Sequence, residues 1–187
     1  PHKANSYLCA KRVLFQIWNG LKQLTGISAY IFFQIFDAKI VPLILYGVEM
    51  WGKGCDIDEL EKLQAFACKL FMGVRASSMN KLCIAECGRF LLSVTVAIKK
   101  IKYWLRVLKM DNNRLPVHCL HMLELHEKKG NVNFNTFVKN ILCEAGFGFI
   151  WLSKSIGNEE KFLLDIKLRL QDIYVQNWRA FINTCSS

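Results

Sequence analysis

The sequence predicts an all-α protein, a small helical bundle followed by a second helical unit. Three observations carry that expectation. About half of the 187 residues are apolar and aromatics are plentiful, so a packed core is expected and disorder is not. Only three prolines occur, Pro1, Pro42 and Pro116, which leaves long stretches free of helix breakers. Apolar residues recur at helical spacing along nearly the whole chain. Phe90 to Val96 is the nearest approach to a strand, and it fits a helix as well.

Taken in order, Leu14, Ile17, Trp18 and Leu21 mark a first helix closed by Gly26. Ser28 can cap a second helix carrying Ile31, Phe32, Ile35 and Phe36, and Pro42 should kink or end it. Leu45 to Gly52 reads as a helix exit and compact turn. Asp56 with Glu59 three residues on resembles a capping box, opening a helix through Leu60, Leu63, Phe66, Leu70 and Phe71 to Gly73. A short helix over Leu82 to Cys87 stops at Gly88. The most amphipathic helix, about Ser93 to Met110, presents Val94, Ile98, Ile101, Trp104, Leu105 and Leu108 on one face. Asp111-Asn112-Asn113 breaks it. Helices over about Pro116 to Lys129 and Phe134 to Ala145 follow, then an aromatic turn at Gly146 to Phe149. Asn158 caps a long final helix. Any join between two units is expected near Asp111 to Asn113.

The net charge of +10 and pI near 9.3 make an acidic partner the first thought, with a merely solvated surplus as the alternative. From Arg75 to Lys109 eight basic residues face one acid, Glu86. At about 100° per residue, Lys99, Lys102, Arg106 and Lys109 share roughly one-quarter of a helix circumference. That pattern fits a phosphate-tracking stripe and an ordinary solvated face equally well.

Several chemistries lack their residues. Two-metal polymerase chemistry needs clustered carboxylates, and the cluster Asp56, Asp58, Glu59 and Glu61 sits where a helix start favours acids. No phosphate-binding glycine loop or nucleophile elbow appears. Cys83 and Cys87 have zinc-like spacing, but His118 and His121 are too close together for the usual histidine pair, so no metal and no cofactor are expected. The eight cysteines are mostly scattered among apolar neighbours, which fits a reducing, intracellular compartment, cytoplasmic or nuclear rather than secreted. The longest apolar run, Ile40 to Val48, is far short of the roughly 20 residues of a membrane span. No small-molecule substrate is implied. The opening proline, without a leader, reads as a fragment or a processed chain.

Certain strings say more than the periodicities. Phe36-Asp37, Pro42, Leu45-Tyr46-Gly47, Glu49 and Trp51-Gly52, in that order, resemble the segment that follows the palm in reverse transcriptases of non-LTR, LINE-type retrotransposons. Ile57 to Val74, the run Glu86-Cys87-Gly88-Arg89-Phe90, Ile101 to Arg106, Gly146 to Trp151 and Asn177-Trp178-Arg179 continue the resemblance. It implies a position beyond the catalytic aspartates: a thumb-like helical region over residues 1–74, a basic connection over 75–112 and a C-terminal helical region over 113–187. The implied role is noncatalytic contact with an RNA or DNA template–primer, beside the palm of a parent polymerase, in a chain truncated at both ends; the alternative is a degenerate helical protein-interaction or structural module with no nucleic-acid role. Met79 and Leu91 replace expected prolines and Cys87 an expected leucine, departures that suggest a decayed copy. Among the motif residues Pro42, Tyr46, Gly47, Glu49, Trp51, Gly52, Glu86, Gly88 and Arg89, the expected roles are structural. Tyr46, Trp51 and Gly52 read as packing and turn residues, and Glu49 is a candidate ion-pair partner for Arg89.

Overall fold

A computed structural model describes the backbone of residues 2–24, 26–51 and 54–185. These residues form α-helices joined by turns, with no strand among them. The helices are α1 (His2–Leu21), α2 (Ala29–Ile44), α3 (Val48–Trp51), α4 (Gly54–Met72) and α5 (Asn80–Glu86). There follow α6 (Leu92–Leu108), α7 (Leu115–Lys128), α8 (Phe134–Glu144), α9 (Gly148–Ser153) and α10 (Glu159–Cys185). The chain divides into two compact units, Pro1–Ser93 and Val94–Ser187.

The division falls at the start of α6, not near Asp111 to Asn113. The Asp111 turn is internal to the second unit because α6 and α7 share one core: Ile101, Trp104 and Leu105 are buried in the same cluster as Val117 and Leu120. The turn is also locally closed, with Asp111 Oδ1 accepting the Asn113 N–H at 2.9 Å, an Asx-type turn that reverses the chain without separating domains.

In the first unit α1, α2 and α4 pack on one another and α5 packs on α4. Ser28 caps α2, its hydroxyl accepting the Ile31 N–H at 3.3 Å. Phe32, Phe33, Phe36, Ile40 and Ile44 then point inward on successive turns. The Phe32 ring stacks on Phe71 at 5.3 Å and takes the edge of Trp18 at 5.7 Å. Each such ring contributes about 1.5–3 kcal/mol by leaving water. Helix α2 continues through Pro42 and ends two residues later at Ile44, so the proline does not itself end the helix. Pro42 lies in the last turn, and the ladder resumes past it, with the Leu45 N–H donating to Val41 at 2.9 Å. Helix α4 runs from Gly54, and the Asp56 side chain, expected to open a capping box there, lies outside the described residues. Gly73 and Gly88 end α4 and α5 with φ of +66° and +64°, a region glycine enters without strain. Each closes a Schellman-type cap: Val74 N–H to Lys69 carbonyl at 3.2 Å, and Arg89 N–H to Ile84 carbonyl at 3.0 Å.

In the second unit Trp104 is fully buried on α6 and stacks on Trp151 of α9 at 5.5 Å. Asn133 forms a full capping box with Thr136 at the head of α8, and Asn158 Oδ1 accepts the Lys161 N–H at 2.9 Å at the head of α10. The aromatic stretch expected as a turn is partly helical: Gly148 to Ser153 form α9, with Ile150 inward. A Cβ at Gly148 would lie 3.2 Å from Cys143 Sγ, a close approach that the thiol would have to yield to by a few tenths of an ångström.

Candidate nucleic-acid interface and the motif residues

The four cations of the expected stripe fare differently. Lys102 and Arg106 are exposed on α6 and Lys99 is half-buried beside them. Among the described residues no carboxylate pairs with these three. Lys109 lies just past the end of α6, exposed, and its Nζ is ion-paired with Glu159. Its charge is therefore partly neutralised, and the open set is Lys99, Lys102 and Arg106. Lys100 belongs to the same sequence run but turns the other way. It is 3% exposed, with Nζ 3.8 Å from the centre of the Phe137 ring, a cation–π contact in place of solvent. The 100° offset from Lys99 foreshadows this, whereas the charge run alone does not.

Two of the motif strings meet at Arg89 in the first unit. Arg89 does not pair with Glu49. Its guanidinium grips Asp37 in a fork, Nη1 to Oδ2 at 2.6 Å and Nη2 to Oδ1 at 2.5 Å. It lies over the Phe33 ring at 4.9 Å and the Phe36 ring at 5.7 Å. The planar cation thus pairs both terminal nitrogens with Asp37 and lays its face on aromatic surface, leaving Nε buried without a hydrogen-bond partner among the described residues, a combination lysine cannot reproduce. Next to it, fully buried Gln64 donates from Nε2 to the Phe90 carbonyl at 2.9 Å. The Phe36-Asp37 string and the Gly88-Arg89-Phe90 string, distant in sequence, therefore meet at one point.

Other motif residues sit elsewhere. Tyr46 is 78% exposed, so it is not a packing residue; it leaves the helix at the turn before Gly47, whose φ is +67°. Pro42 and Glu86 are exposed as well, Glu49 is half-buried in the first turn of α3, and Gly88 is the α5 cap. The Trp51 side chain and Gly52 lie outside the described residues.

Two features escaped sequence reasoning. Glu61 reaches the start of α6, where its Oε1 accepts the Ser93 N–H at 2.8 Å. Burial raises its carboxyl above the ordinary carboxylate range, against the lowering effect of the Ser93 and Leu92 amides. Periodicity shows only that Glu61 lies on α4, not that another helix starts beside it. Second, burial pushes the Cys68 thiol well above the usual thiol range and raises Cys87 too, so neither is held as a reactive thiolate. Among the described residues no group of three or more His, Cys, Asp or Glu side chains is placed to hold a metal ion. An open cleft of about 400 Å³ in the second unit is walled by Lys139 and Lys154, but these pair with Glu127 and Glu124. Among the described residues no helix is long and apolar enough to cross a membrane.

Compared with protein-family models, curated proteins and solved structures, the chain matches none.

Proposed function

We propose that the chain is a noncatalytic segment of a retrotransposon RNA-directed DNA polymerase, its thumb and connection, which rests on the backbone of a template–primer beside the polymerase palm. The motif strings support the family reading. The carrying observation for the contact is the outer side of α6, where Lys99, Lys102 and Arg106 stand together without a carboxylate partner among the described residues. Three cations at helical spacing, about 5–6 Å apart, suit successive phosphates and read no base. Catalytic carboxylates belong to the palm in this reading, so the chain positions nucleic acid and extends no primer.

Titrating the chain with a labelled primer–template duplex at several salt concentrations tests the proposal. Each phosphate contact contributes about 0.9 to the slope of log affinity against log salt on B-form DNA. Changing Lys99, Lys102 and Arg106 together to Gln should weaken binding and flatten that slope by up to roughly 2.7. Gln keeps helix propensity close to that of Lys and Arg, so a loss reads as lost charge. Lys161→Gln with Lys167→Gln on exposed positions of α10 is the control. Equal loss per charge in both variants would reduce the stripe to part of a diffuse basic surface, and absence of salt-dependent binding would end the reading.

A further inference from the structure

Helix α7 wears two faces, and only one of them is used inside its unit. Val117 and Leu120 are buried in the core, while the Glu124 and Glu127 carboxylates are held by Lys154 and Lys139. On the opposite side Leu115, His118, Met122 and Leu125 are all exposed, at steps of three, four and three residues. Leu115 is 73% exposed, and Met122 and Leu125 are 59% each. This is the a/d spacing of a helix-pairing seam, about 15 Å long, on the solvent side of a helix whose own core is already satisfied. Scattered surface leucines need no explanation, but three large apolar side chains in one seam do.

The charges beside the seam say what fits it. Arg114 and Lys129 are exposed at its ends, Lys128 is exposed at the edge shared with the cleft of Glu124 and Glu127, and both acids of α7 are turned away into ion pairs. The geometry points to α7 as a docking site for an acidic amphipathic helix of a partner protein, its apolar stripe laid on Leu115, Met122 and Leu125 and its flanking carboxylates toward Arg114, Lys128 and Lys129. A second copy of this chain fits worse: antiparallel α7 pairing would set Arg114 of one copy against Lys128 and Lys129 of the other. A nucleic-acid backbone fits worse too, since it offers nothing to the leucines and methionine. This surface is separate in sequence from the α6 cations, so it stands or falls independently of the proposed function.

The test uses the full chain and a fluorescent peptide of about 21 residues, three heptads with Leu at a and d and Glu at e and g. Two twins carry Lys at e and g, or Ser at a and d. The acidic peptide should bind saturably and both twins at least about tenfold more weakly, a difference of about 1.4 kcal/mol. Leu115→Gln with Met122→Gln and Leu125→Gln should weaken binding about tenfold or more with the far-ultraviolet dichroism unchanged, because these positions are exposed. Arg114→Gln with Lys128→Gln and Lys129→Gln should weaken binding and remove most of its salt dependence. Exposed Leu164 and Leu168 on α10, changed to Gln, should leave binding intact. Equal binding of the Lys twin, equal loss in the α10 variant, or indifference to the seam variant would overturn the proposal. So would competitive displacement of the peptide by duplex DNA, or self-association of the wild-type chain in sedimentation that the seam variant abolishes.

Discussion

The first unit and the second are both helical and each buries polar side chains, Gln64 and Lys69 in the first and Lys100 and Asn135 in the second, yet their long-range polar contacts differ in kind. In the first, Gln64 and Glu61 reach backbone groups far along the chain, the Phe90 carbonyl and the Ser93 amide, beside the half-exposed fork of Arg89 on Asp37. In the second, the ion pairs stand at the surface, Lys109 with Glu159, Lys139 with Glu127 and Lys154 with Glu124, over a core closed by aromatic and aliphatic groups. The buried contacts of the first unit specify how its helices join, because a missed partner there strands a donor or acceptor away from water. The exposed pairs of the second add little stability each, and none of them engages Lys99, Lys102 or Arg106. The Phe36-Asp37 and Gly88-Arg89-Phe90 strings thus join helices of the first unit to one another.

The contrast can be broken at its strongest point in the second unit. Trp104→Ala removes a fully buried ring stacked on Trp151 and should cost about 3–5 kcal/mol in chemical denaturation. A cost under about 1 kcal/mol would mean that the aromatic core is not what closes this unit.

A smaller effect is expected at the polar node of the first unit. Asp37 is about half exposed, so the fork with Arg89 is screened, and Arg89→Ala should cost about 1–2 kcal/mol including lost ring contact. Arg89→Lys should recover little of this, since it restores charge but not the fork or the stacking. A double-mutant cycle with Asp37→Asn should show coupling of about 0.5–1 kcal/mol, and none would make Arg89 a stacking residue only. The surface pair Lys154 and Glu124, treated the same way, should couple by about 0.5 kcal/mol or less.

Glu61 sharpens the comparison through pH. Its carboxyl is raised in the folded chain, so its contribution to stability is full below the ordinary carboxylate range and is lost as pH climbs through the raised value. Glu61→Gln keeps an acceptor for the Ser93 amide but does not ionise. Stability measured against pH should therefore fall less steeply in the variant than in the wild type across that window. An identical profile would show that Glu61 is ionised at no cost in the fold. At the least demanding end, Asn133→Ala opens the capping box of α8 and should cost about 1 kcal/mol, read as faster amide exchange in its first turn.

What the sequence determined by itself is local. Helical spacing, the caps at Ser28 and Asn158 and the stops at Gly73 and Gly88 placed most elements within a few residues, because those signals act over one or two turns of chain. The sidedness of α6 was legible too, since 100° per residue sets Lys102 and Arg106 opposite Ile101 and Trp104. Where the sequence misled, the deciding partner lay far along the chain or the context was helical on both sides. Pro42 is tolerated because it falls in a last turn already anchored by Phe36, Ile40 and Ile44. Only the tertiary structure chose Asp37 over Glu49 for Arg89, gave Lys109 to Glu159, buried Lys100 on Phe137 and joined α6 to α7 in one core. Periodicity fixes the direction in which a side chain leaves its helix, but what it meets there depends on how other helices pack, and packing is settled by burial summed over the whole unit.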